Sequence, residues 1–192
     1  KSTPWEAVAA CLTCVRANAI CVVRKSERVD MKLQDCHRGA VVGQALLDAD
    51  VSIAGIGEPR FSGGGSARVV EVLSGREVSL SGLMIEDGYA AEDGAGLYCE
   101  GAALAVEAVS FVGQLAEGSG GGLYALDCAV SVGGSLFLEN VAGGGGGGLY
   151  IEGGDVQLEE TQFQHNTAAG CGATTLYETQ AELLQVTIDE NE

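Results

Sequence analysis

The residues of this 192-residue chain that could do chemistry are few and scattered. Seven cysteines are present, and four of them (Cys11, Cys14, Cys21 and Cys36) cluster near the start beside His37. A zinc site needs four such ligands, usually in two paired spacings. Only one Cys-x-x-Cys occurs, Cys11 to Cys14, and no second pair follows it. No metal site is expected, and a disulfide within Cys11, Cys14, Cys21 and Cys36 is the better reading. Cleavage of a glycoside needs two carboxylates held across the substrate. Lyase chemistry on a uronate needs a base and a cation that neutralises the sugar carboxylate. Glu100, Glu107, Asp127 and Glu139 do not recur together on one face. Glu86-Asp87 and Glu159-Glu160 are sequence neighbours, which a strand points to opposite sides. His37 and His165 stand alone, and the nonapeptide spacing of calcium β-rolls is missing. No catalytic residue and no cofactor is therefore expected, and a polysaccharide-active enzyme is the least favoured reading.

The charge distribution narrows the partners. Through Arg76 the chain carries ten Lys and Arg against eight Asp and Glu; after it come nineteen acids and no cation. Such a surface repels nucleic acid and anionic lipid, and it repels an anionic sugar equally. It also keeps a repetitive sheet protein soluble. Arg24, Lys25, Arg28 and Lys32 form a small basic patch, expected as a solvated face. No apolar run reaches the 18 residues of a membrane span, and Ala7–Val15 is too short for a signal-peptide core.

The elements that must position these side chains are set by a repeat. Gly-Gly-Gly-Leu-Tyr occurs at Gly120–Tyr124 and Gly146–Tyr150, with Gly-Ala-Gly-Leu-Tyr at Gly94–Tyr98, so the tyrosines fall 26 residues apart. Apolar couples recur in the same step: Leu97/Cys99, Leu123/Ala125 and Leu149/Ile151; Leu104/Val106, Val130/Val132 and Val156/Leu158; Val109/Phe111, Ser135/Phe137 and Thr161/Phe163. Each couple is an i, i+2 pair, which puts both side chains on one face of a short strand. Three short strands per 26-residue turn predict an all-β, right-handed parallel β-helix, in which each strand pairs with its counterpart about 4.8 Å away. Equivalent positions then stack. Ile85, Phe111, Phe137, Phe163 and Ile188 make one interior ladder, with the last step shortened to 25 near Gly170. Gln114, Asn140, Asn166 and Asn191 make a second, where an inward amide can bond the corner backbone and the amide of the next turn. Cys99 falls at an inward position and is expected as a small apolar filler; Cys128 and Cys171 fall at corners and have no evident partner.

The pairing of Gly-Gly-x-aliphatic with Phe-x-x-Asn resembles the repeats of polymorphic outer membrane proteins and related right-handed β-helix proteins of the pectin-lyase-like class. The matching residues are Gly121-Gly122-Leu123, Gly147-Gly148-Leu149, Phe137-Leu138-Glu139-Asn140 and Phe163-Gln164-His165-Asn166. Phe111–Gln114 departs at its last position and Ile188–Asn191 at its first. The resemblance covers residues 65–192 well and 39–64 loosely. It implies the fold; its members include adhesins, structural proteins and enzymes, and the motifs of the pectin-degrading enzymes are absent here.

One domain spans 1–192. Residues 65–192 hold the regular repeats and 19–64 the irregular first turns. At 1–18, Thr3, Pro4 and Glu6 make a helix start, and Trp5, Val8, Ala9, Leu12 and Val15 one apolar face, so an N-terminal capping α-helix is predicted. Tyr98, Tyr124 and Tyr150 follow inward leucines and are expected outward, as a stripe of exposed rings for a glycan or protein partner, or as shields for the glycine corners beside them. The last corner closes at Asn191, so further β-helix turns or a protein partner are expected over that end, with end-to-end self-association of the isolated chain. These features favour a non-enzymatic binding scaffold, extracellular or at the cell surface. The alternative is an accessory structural subunit, lumenal or organellar, docked on a larger membrane-bound assembly.

Overall fold

The inward couples form strands because each i, i+2 pair buries both apolar side chains while the residue between them meets solvent. A computed structural model describes residues 19–24, 29–34 and 41–192. It is an all-β, right-handed parallel solenoid of about six turns. One turn runs Leu97–Glu100, Ala103–Glu107, Ser110–Val112 and Leu115–Ala116. The next runs Leu123–Leu126, Ala129–Gly133, Leu136–Leu138 and Val141–Ala142, and each strand pairs in parallel with its equivalent 26 residues earlier.

Each regular turn thus has four strands, where the apolar couples predicted three. The fourth strand is two residues long, at Tyr89–Ala90, Leu115–Ala116, Val141–Ala142 and Thr167–Ala168. Two residues cannot carry an i, i+2 couple, so the pattern that reveals the other three is silent here. In the first turns the strand Val41–Asp48 serves two faces, pairing with Arg60–Ser62 through Val41 and Val42 and with Val70–Val72 through Ala45 to Leu47. Among the described residues there is no helix. The predicted helical cap at 1–18 lies outside them, as do the side chains of Cys11, Cys14, Cys21 and Cys36. No described helix is long and apolar enough to cross a membrane.

The corners share one backbone device. Gly75, Gly101, Asp127, Gly153 and Glu178 turn the chain from the first face to the second. Gly82, Ala108, Gly134, Glu160 and Gln185 do so from second to third, and Asp87, Gly113, Glu139, His165 and Glu190 from third to fourth. All have φ between +48° and +74°. A left-handed residue between two extended segments makes a sharp corner (Gly153 is followed by a second, Gly154), and its repetition in register keeps the turns superimposable. Glycine suits the position, yet many corners use charged residues, whose side chains project into solvent.

The interior is filled by the ladders. Phe61, Ile85, Phe111, Phe137 and Phe163 are almost fully buried. Phe111, Phe137 and Phe163 stack at 4.7 and 4.8 Å between centroids, with rings nearly parallel. Ile188 pairs in register with Phe163 but sits on the last turn, where it is 58% exposed. Leu183 and Leu184 on the same turn are exposed as well.

Candidate binding surfaces and the ladders behind them

Gln114, Asn140, Asn166 and Asn191 point inward at the corner after the third strand. Asn140 Nδ2 donates to Phe111 O at 3.0 Å and to Asn166 Oδ1 at 2.9 Å. Asn140 Oδ1 accepts the Gln114 N–H at 3.1 Å. Asn166 repeats the pattern with Phe137 O and Asn191 Oδ1. Each amide therefore bonds a strand carbonyl and a corner N–H of the preceding turn and the amide of the next. Gln114 is one methylene longer, and the preceding position is Gly88. The Gly88 N–H donates to Gln114 Oε1 at 2.7 Å, and a Cβ at Gly88 would run into that oxygen. The two departures from the repeat compensate each other.

The tyrosines lie on the outer side of the first face, but they are not a row of exposed rings. Tyr98 stacks on Tyr124 at 5.5 Å and Tyr124 on Tyr150 at 5.3 Å, the rings within 7° of parallel. Tyr124 is only 7% exposed. Arg68 covers the remaining face of Tyr98, its guanidinium carbon 4.6 Å from the ring centroid. Both faces of Tyr98 and Tyr124 are thus occupied, and neither can stack on a sugar ring. The rings lie against glycine corners, where a Cβ at Gly94 would approach the Cβ atoms of Tyr98 and Tyr124. The expectation of three exposed rings is corrected for this reason: a 26-residue step puts identical rings one strand spacing apart, and they bury one another. Carboxylates rim the stack. Tyr98 OH donates to Glu100 and Tyr124 OH to Glu152, each at 3.3 Å. Burial first, then the neighbouring carboxylates, raises the Tyr98, Tyr124 and Tyr150 hydroxyls above the usual tyrosine value.

Cys99 is inward and fully buried, but it is no simple filler. It forms a disulfide with Cys128, across 29 residues and a Cα separation of 6.6 Å. The bond joins a first-face strand to the corner that follows the same face one turn on. Sequence spacing hid it, because Cys99 and Cys128 occupy different positions of the repeat. Cys171 is a free, exposed thiol.

A surface that periodicity alone did not single out lies on the second face. Outward positions there are small in successive turns: Ser79, Ala105 and Ser131 in one column, Ala103 and Ala129 in the next. They floor an open trough of about 420 Å³, with Glu77 and Asp155 at the two ends of the second column. Outward alanine at two adjacent columns of a strand is the signal that could have found it.

Glu100, Glu107, Asp127 and Glu139 are exposed on separate strands and corners, and Glu160 and Glu139 are themselves left-handed corner residues. Glu86 pairs with Arg60 and His165 with Glu190, both at 3.2 Å. Among the described residues no three His, Cys, Asp or Glu side chains are placed to hold a metal ion. No known protein family, characterised protein or solved structure matches the chain.

Proposed function

We propose that this chain is a non-enzymatic scaffold of the pectin-lyase-like kind, similar to the repeats of polymorphic outer membrane proteins, that presents its second face to an extended protein or glycan strand. The observation that carries the reading is the trough: three turns of small outward side chains, open at the surface and ended by carboxylates. A floor of methyl and hydroxymethyl groups lets a strand approach closely. The acidic ends favour a neutral or cationic strand over an anionic one. The buried Cys99–Cys128 bond supports an oxidising location, extracellular or at the cell surface.

The test is retention of the intact chain on arrays of neutral and charged glycans and on peptide arrays, with Ala105→Arg and Ala129→Arg as blocked-trough variants. Expected is saturable retention without release of shortened products, lost in both variants while their melting temperatures hold. Turnover of a retained polysaccharide, or retention untouched by the arginines, overturns the reading.

A further inference from the structure

The tyrosine stack has two ends, and they are not alike. At one end Arg68 lies over Tyr98. Its Nε donates to Gly94 O and its Nη2 to Asp93 O, both at 2.9 Å, while Nη1 meets Glu71 Oε2 at 3.1 Å. This is a complete arginine site: a ring face, two carbonyls and a carboxylate. At the other end Tyr150 has Tyr124 on one face. Its counterpart on the next turn is Thr175, too short to cover the outer part of the ring. Among the described residues no ring or cation stacks on that second face.

Three further observations converge there. Thr175, in register with Tyr150, brings neither charge nor ring to that face, and its hydroxyl oxygen is buried from solvent. Glu152 flanks the ring, accepting from Tyr124 OH, and among the described residues it is in no ion pair. Tyr177 stands in register beyond Glu152, half exposed. Residues 77–192, which surround the ring, hold nineteen acids and no Lys or Arg.

We propose that the open face of Tyr150 receives an arginine side chain from a basic segment of a protein partner, in the manner in which Tyr98 receives Arg68. The guanidinium stacks on the ring and pairs with Glu152. Arginine fits where lysine does not, because a planar fork stacks and donates sideways at the same time. The surface is on the first face and does not depend on what occupies the trough of the second.

The experiment uses the whole chain and two capped peptides, acetyl-Gly-Arg-Gly-amide and its lysine counterpart, titrated at physiological salt and followed by NMR at Tyr150 and Thr175. Expected is a preference for the arginine peptide of about five-fold or more, with shifts confined to Tyr150, Glu152, Thr175 and Tyr177. Tyr150→Leu should abolish the preference while leaving weak, charge-driven binding of both peptides. Glu152→Gln removes the carboxylate that the planar fork meets and should reduce it with the stack intact, which keeps the test decisive if Tyr150→Leu fails to fold. Arg68→Met uncovers Tyr98 and should create a second site with the same preference. Equal binding of both peptides, a preference that survives Tyr150→Leu or Glu152→Gln, or no new site in Arg68→Met overturns the assignment.

Discussion

Replacing Asn140 by alanine tests how the amide ladder holds the turns together. Two groups lose their only side-chain partner: the Gln114 N–H, 3.1 Å from Asn140 Oδ1, and the Phe111 carbonyl, 3.0 Å from Asn140 Nδ2. The bond to Asn166 Oδ1 is lost too, although that oxygen keeps the Asn140 backbone N–H at 3.1 Å. Asn140 is completely buried, so water cannot substitute. At about 1–3 kcal/mol for the buried Gln114 N–H left unpaired, and about 0.5–1.5 kcal/mol for each lost bond to Phe111 O and Asn166 Oδ1, whose acceptors keep backbone partners, the cost is about 2–6 kcal/mol. That is a large share of the roughly 5–15 kcal/mol that holds a typical domain. Asn191 makes the same kinds of bond, to Phe163 O and Asn166, but on the exposed last turn. Water replaces its partners there, and Asn191→Ala should cost only about 1 kcal/mol. Asn140→Asp should be worse than alanine at neutral pH, since a carboxylate oxygen would face Phe111 O and Asn166 Oδ1, and should recover in part when acid protonates it. The assay is urea unfolding by circular dichroism, with hydrogen exchange at the Gln114 amide as the local report. Equal losses at Asn140 and Asn191, a loss at Asn140 below about 1 kcal/mol, or unchanged protection of Gln114 would refute the reasoning.

Replacing both Cys99 and Cys128 by alanine removes a bridge across 29 residues, for which chain entropy predicts a loss of about 3.5 kcal/mol in calorimetry or urea melts. Gly120→Ala combines a φ of +65° with a Cβ placed 2.6 Å from Leu123 O and 2.7 Å from Tyr124 Cβ, and should cost about 3 kcal/mol or more. Gly75→Ala has a similar φ, +74°, but open space around it, and should cost about 1 kcal/mol by the same measurement. The ladder tyrosines hold their protons more tightly folded than unfolded, so above pH about 10 the folded chain binds more protons. Their contribution is full below that pH and is lost as pH rises through the folded-state values; melting temperature should fall across that window, with phenolate absorbance appearing as the chain unfolds.

The fold was legible because its signal is redundant. Phe111, Phe137 and Phe163 repeat an inward position, and the couples around them repeat in step, so several ladders give the same register. The surfaces were less legible. An outward residue beside a leucine looks exposed in one turn; that Tyr124 is buried follows only when the rings above and below are placed at strand spacing. The disulfide was hidden for the opposite reason. It crosses between columns of the repeat, whereas periodic reading compares residues only within a column. The two-residue fourth strand lies below the length at which alternation can be seen at all. The trough arises from what is missing, since small side chains carry no hydropathy signal of their own.

The ladder of parallel strands also sets how the protein yields to force. Pulled along its axis, the solenoid is loaded turn by turn, and each turn that peels away releases 26 residues. At about 3.3–3.6 Å per extended residue, less the 4.8 Å already spanned, each event lengthens the tether by about 85 Å. A stack of like turns therefore acts as a ratchet with evenly spaced steps. The Cys99–Cys128 bond interrupts that series: the tension path runs through the sulfurs, and the residues between them add no length. One step is missing until a reductant restores it, so oxidation fixes how far the tether can extend.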